Sequence, residues 1–91
     1  MAPVRHELLL PDLGLGEIPV IACAWLVAEG REVVEGERLL EVVAGNVTVD
    51  LPSPASGVLT TTLVAEDDSL STGQLLAVIE SAAEPEAPDR Q

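Results

Sequence analysis

Displaced by 37 positions, the sequence falls on itself: Leu26-Val27-Ala28-Glu29 lands on Leu63-Val64-Ala65-Glu66, Val33 on Leu70, Gly36 on Gly73, Leu39 on Leu76 and Val42 on Ile79. Two like halves fold either as a repeat array or as a pair of equivalent layers. An array needs about three or more units to bury a continuous core. Two units of this length therefore predict a pseudo-symmetric pair of small sheets packed face to face. The 91 residues have room for one domain. Its core must be small, because a chain this short buries only about 60–65% of the surface its unfolded form exposes.

Strands rather than helices follow from the spacing of turn signals. Short apolar runs are punctuated by Pro11-Asp12-Leu13-Gly14, Glu29-Gly30, Glu35-Gly36, Gly45-Asn46, Pro52-Ser53-Pro54, Ser56-Gly57, Asp67-Asp68 and Thr72-Gly73. The apolar share of 47% is almost all Val, Leu, Ala and Ile, and abundant valine favours strands. Alternation is clearest at 47–51, where Val47, Val49 and Leu51 are expected to point inward and Thr48 and Asp50 to water. The run 39–43 precedes it, and Ala44, Gly45, Asn46 and Val47 join the two as a tight hairpin, with Asn46 at an exposed tip. A competing reading makes 31–43 an amphipathic helix on a partial 3.6-residue period. Gly36 in its middle would cost about 1 kcal/mol relative to Ala, and the valines add to that. Trp25, the only aromatic residue, is expected to be the largest single contributor of buried area.

Charge and cysteine content narrow the chemistry. Sixteen acidic residues against four arginines give a formal net charge of −12, which repels polyphosphate and argues against nucleic acid. The same field keeps a domain soluble and would steer a basic partner surface towards it. No apolar run approaches the roughly 18 residues of a membrane span, and 1–7 lacks the apolar core of a secretory signal, so a soluble cytoplasmic protein is expected. Cys23 stands alone, which leaves no internal disulfide, and with only His6 beside it no structural zinc site. Between Ala22 and Ala24 a small buried thiol is expected. The acidic run Glu66-Asp67-Asp68 fits a solvated turn rather than a metal loop. The expected organisation is an N-terminal extension at 1–5, a domain at 6–81 and a disordered acidic Pro/Ala-rich tail at 82–91.

These residues resemble a family, the lipoyl/biotinyl carrier domains of 2-oxoacid dehydrogenase complexes and biotin-dependent carboxylases, over roughly 7–80. Leu10-Pro11-Asp12-Leu13-Gly14 resembles the opening of lipoyl domains from acyltransferase subunits, and Trp25-Leu26-Val27-Ala28-Glu29-Gly30 their W-L-V-x-x-G strand end. Val34-Glu35-Gly36-Glu37-Arg38-Leu39-Leu40-Glu41-Val42 is similar to V-x-x-G-x-x-L-x-x-V/I, and Val49-Asp50-Leu51-Pro52-Ser53-Pro54-Ala55-Ser56-Gly57-Val58-Leu59 to E-V-P-S-P-x-x-G-V-V. The resemblance implies an all-β, flattened sandwich of two four-stranded antiparallel sheets with pseudo-two-fold symmetry. It also implies structural roles for Gly30 and Gly57, where a turn or close backbone approach favours a residue without Cβ.

The family attaches lipoate or biotin to a lysine at the hairpin tip, within E-T-D-K-A or M-K-M. The corresponding residues here are Val43, Ala44, Gly45, Asn46 and Val47, so Asn46 stands where the lysine belongs. The chain contains no lysine at all. A carboxamide nitrogen, delocalised into its carbonyl, does not take up an acyl group as an amine does, and arginine stays protonated. The acidic residue before the lysine is also gone, replaced by Gly45, which marks divergence of the whole tip rather than a single exchange. Cofactor attachment is therefore not expected.

Three functions remain. The first is a non-lipoylated interaction module that docks on protein partners, such as dehydrogenase/decarboxylase or acyltransferase subunits, through its acidic faces, the loop at 13–19 and the hairpin tip. The second is an accessory or N-terminal domain of a dihydrolipoamide acyltransferase-like system whose lipoylated copy lies on another chain or domain. The third, an enzyme, lacks support: His6 and Cys23 sit in no motif, and the hydroxyls of Ser53, Ser56, Ser69 and Thr60-Thr61-Thr62 suit strands and turns, leaving no catalytic residue to name.

Overall fold

The computed structural model describes residues 3–82, and within them eight strands form two sheets. The strands are β1 (Val4–Leu9), β2 (Val20–Trp25), β3 (Glu32–Val33), β4 (Arg38–Ala44), β5 (Val47–Pro52), β6 (Gly57–Thr62), β7 (Ser69–Leu70) and β8 (Leu75–Ser81). One sheet has the order β1-β8-β6-β3 and the other β5-β4-β2-β7, with every pairing antiparallel. Each sheet draws strands from both halves of the chain, so the sequence repeat appears as a two-fold exchange of sheets rather than as two stacked units.

The repeat extends to individual hydrogen bonds. Leu26 N–H donates to the Leu39 carbonyl at 2.8 Å, and Leu63 N–H, 37 positions on, donates to that of Leu76 at 2.9 Å. Gly30 N–H donates to the Leu59 carbonyl and Asp67 N–H to the Ala22 carbonyl, both at 2.7 Å. The tight turns correspond as well: Gly30 has φ +97° and its counterpart Asp67 has φ +76°. A left-handed backbone disfavours residues with a Cβ, Asp less than most. Asp67→Gly is thus expected to stabilise the domain by about 0.5–1 kcal/mol, read as a raised thermal midpoint. A lowered midpoint would mean that the Asp67 side chain contributes more than its backbone costs.

The core lies between the sheets, built from Leu8, Leu39, Leu40, Val42, Leu51, Leu59, Leu76 and Ile79 with Leu10 from the first loop. On β4 a register shift between Arg38 and Leu40 turns both Leu39 and Leu40 inward, which simple alternation would forbid. The helix considered for 31–43 is absent: β3, a turn at Glu35-Gly36 and β4 occupy that segment, as the Gly36 penalty favours. Trp25 is half-buried against the core, and its indole N–H donates to the Val64 carbonyl at 2.9 Å, tying β2 to the segment that follows β6.

Several expectations need correction. β1 begins at Val4, which pairs with Ser81, so Val4 and Arg5 belong to the sheet and not to an extension. Cys23 is exposed, not buried, because a register shift between Ala22 and Ala24 lifts it out of the alternation. On β5 only Leu51 is fully buried. Val49 packs at the core's margin, and Val47, beside the turn, is 43% exposed. The segments 1–2 and 83–91 lie outside the described residues, and with them the expected tail beyond Ala82.

Gly57 takes part through proximity rather than conformation. A Cβ there would stand 2.8 Å from the Glu80 carbonyl carbon, nearer still to its oxygen, and 3.1 Å from the Ile79 Cγ2 atom. Only a residue lacking Cβ lets β6 lie this close to β8.

Candidate functional site: the hairpin tip

β4 and β5 run as a regular ladder to the end, with Val43 opposite Thr48 and Ala44 opposite Val47, leaving Gly45 and Asn46 as the two turn residues. Gly45 has φ +61° and Asn46 is not in the left-handed region. A positive φ at the first central position alone is the mark of a type II′ turn, whose twist suits a two-residue hairpin. Gly45, Asn46, Val47 and Thr48 are all exposed, while Ala44 is buried. The tip is thus a rigid, solvent-facing point on a buried base.

The stretch 42–49 holds no ionisable side chain. The acids that flank this stretch in sequence, Glu41 and Asp50, sit directly opposite each other across the two strands, a like-charge pairing that costs stability. Arg38 relieves part of it, with Nη1 3.9 Å from Asp50 Oδ2. Beside the tip, the loop at 13–19 borders an open cleft of about 300 Å³ lined by Leu13, Leu15, Ile18, Pro19, Val20 and Leu70. Asp12 shapes the loop by accepting a hydrogen bond from Gly14 N–H at 2.9 Å. Ile18, 45% exposed, leans on the hairpin: its Cγ2 lies 3.6 Å from where a Cβ on Gly45 would be. Ile18 escaped the sequence reading as an individual residue. Its one signal is an isolated β-branched residue between Glu17 and Pro19 in a turn-rich segment.

The other residues considered for chemistry do not converge. His6 on β1 has Nε2 3.1 Å from the Ser81 hydroxyl, whereas Cys23 lies on the opposite sheet. Ser53 is buried and its hydroxyl donates to the Ala55 carbonyl at 2.6 Å, a turn contact. Although Cys23 reaches solvent, the surrounding surface strips part of the hydration a thiolate would need, and a hydrogen bond to Glu41 and the charges of Glu41, Glu66 and Asp67 add to this. All of these push the thiol pKa up. Alkylation by iodoacetamide at pH 8 is accordingly expected to run slower than for free cysteine, with Glu41→Gln accelerating it. Equal rates for free cysteine, native chain and variant would refute this electrostatic account.

The tip does not fit the family's prosthetic groups. Attachment needs a nucleophilic amine there, and Asn46 offers a carboxamide. With Asn46 exposed and making its turn without a left-handed backbone, Asn46→Lys is expected to change folding stability by less than about 0.5 kcal/mol. A larger loss in chemical denaturation would mean that the carboxamide holds the turn.

Comparison with known proteins agrees with this geometry. The family model described as "Biotin-requiring enzyme", covering biotin and lipoyl domains, matches residues 6–79. The chain is 35% identical over 74 residues to the dihydrolipoyllysine-residue acetyltransferase component of the acetoin cleaving system of Pseudomonas putida, covering 81% of this chain and 20% of that protein. It is 35% identical over 79 residues to the corresponding component of the pyruvate dehydrogenase complex of Corynebacterium glutamicum, covering 87% and 12%. The chain therefore spans a fifth or less of the length of these two curated relatives. Among solved structures, the lipoyl domain of the 2-oxoglutarate dehydrogenase complex of Azotobacter vinelandii superposes with a TM-score of 0.69 at 18% identity, covering 85% of this chain and 98% of that one. A single-chain long-chain acyl-CoA carboxylase gives a TM-score of 0.70, also at 18% identity, over 92% of this chain and 8% of that one. At that identity the superpositions speak for the fold alone, while the family match and the acyltransferase relatives add descent. The chain belongs to the biotin/lipoyl carrier-domain family, as a lipoyl-like domain related to those of 2-oxoacid dehydrogenase acyltransferases.

Proposed function

We propose that this domain carries neither lipoate nor biotin and acts as a protein-interaction module. It docks on dehydrogenase/decarboxylase or acyltransferase subunits of a 2-oxoacid dehydrogenase-type assembly. The observation that carries the reading is Asn46 at the exposed tip of a chain without lysine. A carrier passes acyl groups on a covalent arm, and here no amine at the tip can anchor one. What is left for selection to keep is the shape: the tip, the loop at 13–19 leaning on it, and the acidic surface. The relatives named as acyltransferase components make subunits of such complexes the natural partners. With a net charge of −12, encounter with a basic partner is electrostatically steered and weakens as salt rises.

A second reading makes the chain an accessory domain of a longer acyltransferase-like system whose lipoylated copy lies elsewhere. It is favoured by the short share of each relative that the chain covers. A longer native gene product, or a lipoylated domain on the same polypeptide, distinguishes it.

The test isolates the protein from its native cells and probes it with lipoyl-specific antibody and with streptavidin. It then uses the tagged domain as bait at low and high salt. The expected result is no signal from either probe and recovery of dehydrogenase-complex subunits at low salt only. A lipoyl or biotinyl adduct on the chain overturns the first part, and failure to retain any such subunit at low salt overturns the second.

A further inference from the structure

Asn46 is the only asparagine in the chain, and it is followed by Val47 and Thr48. Asn-x-Thr with a non-proline centre is the acceptor triplet for N-linked glycosylation. The triplet alone is a weak signal, and its placement strengthens it. A glycosyl transferase must close around three consecutive residues with the carboxamide and the hydroxyl both free of the protein body. Here all three residues are exposed at the apex of a hairpin. Thr48 is the second residue of β5, directly opposite Val43 and out of step with the buried Ala44, so its side chain leaves the outer face of the sheet. Asn46, two residues earlier, is a turn residue exposed to solvent. The nearby Ile18 approaches at Gly45, on the preceding residue, and leaves the approach to Asn46 open.

We propose that Asn46 is an N-glycosylation site, taking one or more hexoses from an activated sugar diphosphate. The proposal rests on the reading above only in that the tip is free of lipoate and biotin. The carboxamide that cannot take an acyl group suits this reaction, because the electrophile is an anomeric carbon with a diphosphate leaving group. In the transferase, Nδ2 bonds to that carbon as the carbon–oxygen bond to the diphosphate breaks. One Nδ2 proton passes to a base of the transferase, and the diphosphate departs with the bonding pair. The Thr48 hydroxyl is the recognition element and is not consumed. Where the family's covalent arm would stand, this chain then presents a neutral, hydrated group beside Val47 and Ile18, the two exposed apolar side chains of the tip.

The experiment purifies the full chain from the cells that naturally make it, cleaves after glutamate and analyses fragment 42–66 by mass spectrometry. That fragment contains Asn46 and no other asparagine. The expected result is added mass in hexose increments, placed on Asn46 by electron-transfer fragmentation, which leaves the sugar on the side chain. The added mass should be lost completely in Asn46→Gln and Thr48→Ala and retained, at reduced occupancy, in Thr48→Ser. Thermal melts of the variants matching the native chain separate loss of the acceptor from loss of the fold. A short hexose addition identifies a nucleotide-sugar donor, and a single large mixed glycan a lipid-linked one. A fragment of unmodified mass in the native chain, or a hexose that survives Thr48→Ala, overturns the proposal. A bare Asn46 leaves the interaction-module reading standing, and a lipoyl or biotinyl adduct would sink that reading.

Discussion

Trp25→Ala is expected to lower stability by about 3–5 kcal/mol, a large part of the roughly 5–15 kcal/mol that holds a small domain folded. Two losses combine. The indole packs against the core between the sheets, and its N–H satisfies the Val64 carbonyl at 2.9 Å. Val64 is itself nearly buried, so removing the donor strands a carbonyl with limited access to water, worth about 1 kcal/mol or more by itself. Trp25→Phe separates the contributions, since it keeps much of the packing and deletes only the donor. It should recover more than half of the loss in urea denaturation. A loss below about 1 kcal/mol for the alanine variant would mean the ring contributes little beyond covering surface.

Gly57→Ala should cost about 2–3 kcal/mol although it adds only one methyl group. Most small-to-large changes meet flexible side chains that can step aside. Here the added Cβ meets the backbone carbonyl of Glu80, and that strand can retreat only by opening the ladder in which Val58 pairs with Glu80. The strand on the other flank is equally fixed, since Val33 pairs with Gly57. At about 4–8 °C per kcal/mol for a domain of this size, the thermal midpoint should fall by roughly 10–20 °C. A fall of under about 3 °C would show that β6 and β8 can separate without penalty.

Much of the architecture was legible because it repeats. The correspondence of 26–29 with 63–66 required two equivalent layers, and the turn signals cut the chain into strands of the right length. The tip was legible from Gly45-Asn46 between the apolar run 39–43 and the alternating run 47–51. What alternation could not supply were its own interruptions. Cys23 looks buried between two alanines, but one shifted register turns it outward, and an equivalent shift on β4 buries two successive leucines. Such shifts depend on which partner strand is met, and no local pattern encodes that. The role of Gly57 was foreseen only as a turn or close approach. The neighbour that makes it necessary, Glu80, lies 23 positions away. Ile18 gave no sign that it would lean on the hairpin, because loop placement follows from the packing of what the loop connects.

The exchange of strands between the sheets bears on how the domain comes apart. Each sheet needs β-strands from before and after the midpoint of the chain, so neither half owns a layer that could persist while the other melts. Unfolding from the N-terminal side strips the edge strand β1, and unfolding from the C-terminal side pulls β8 from between β1 and β6; either exposes the interior shared with the other sheet. Opening should therefore be all-or-none across the interior, with only the two-residue ribbons β3 and β7 and the turns free to breathe on their own. The hairpin that carries Asn46 is thus held on a frame that yields only as a whole.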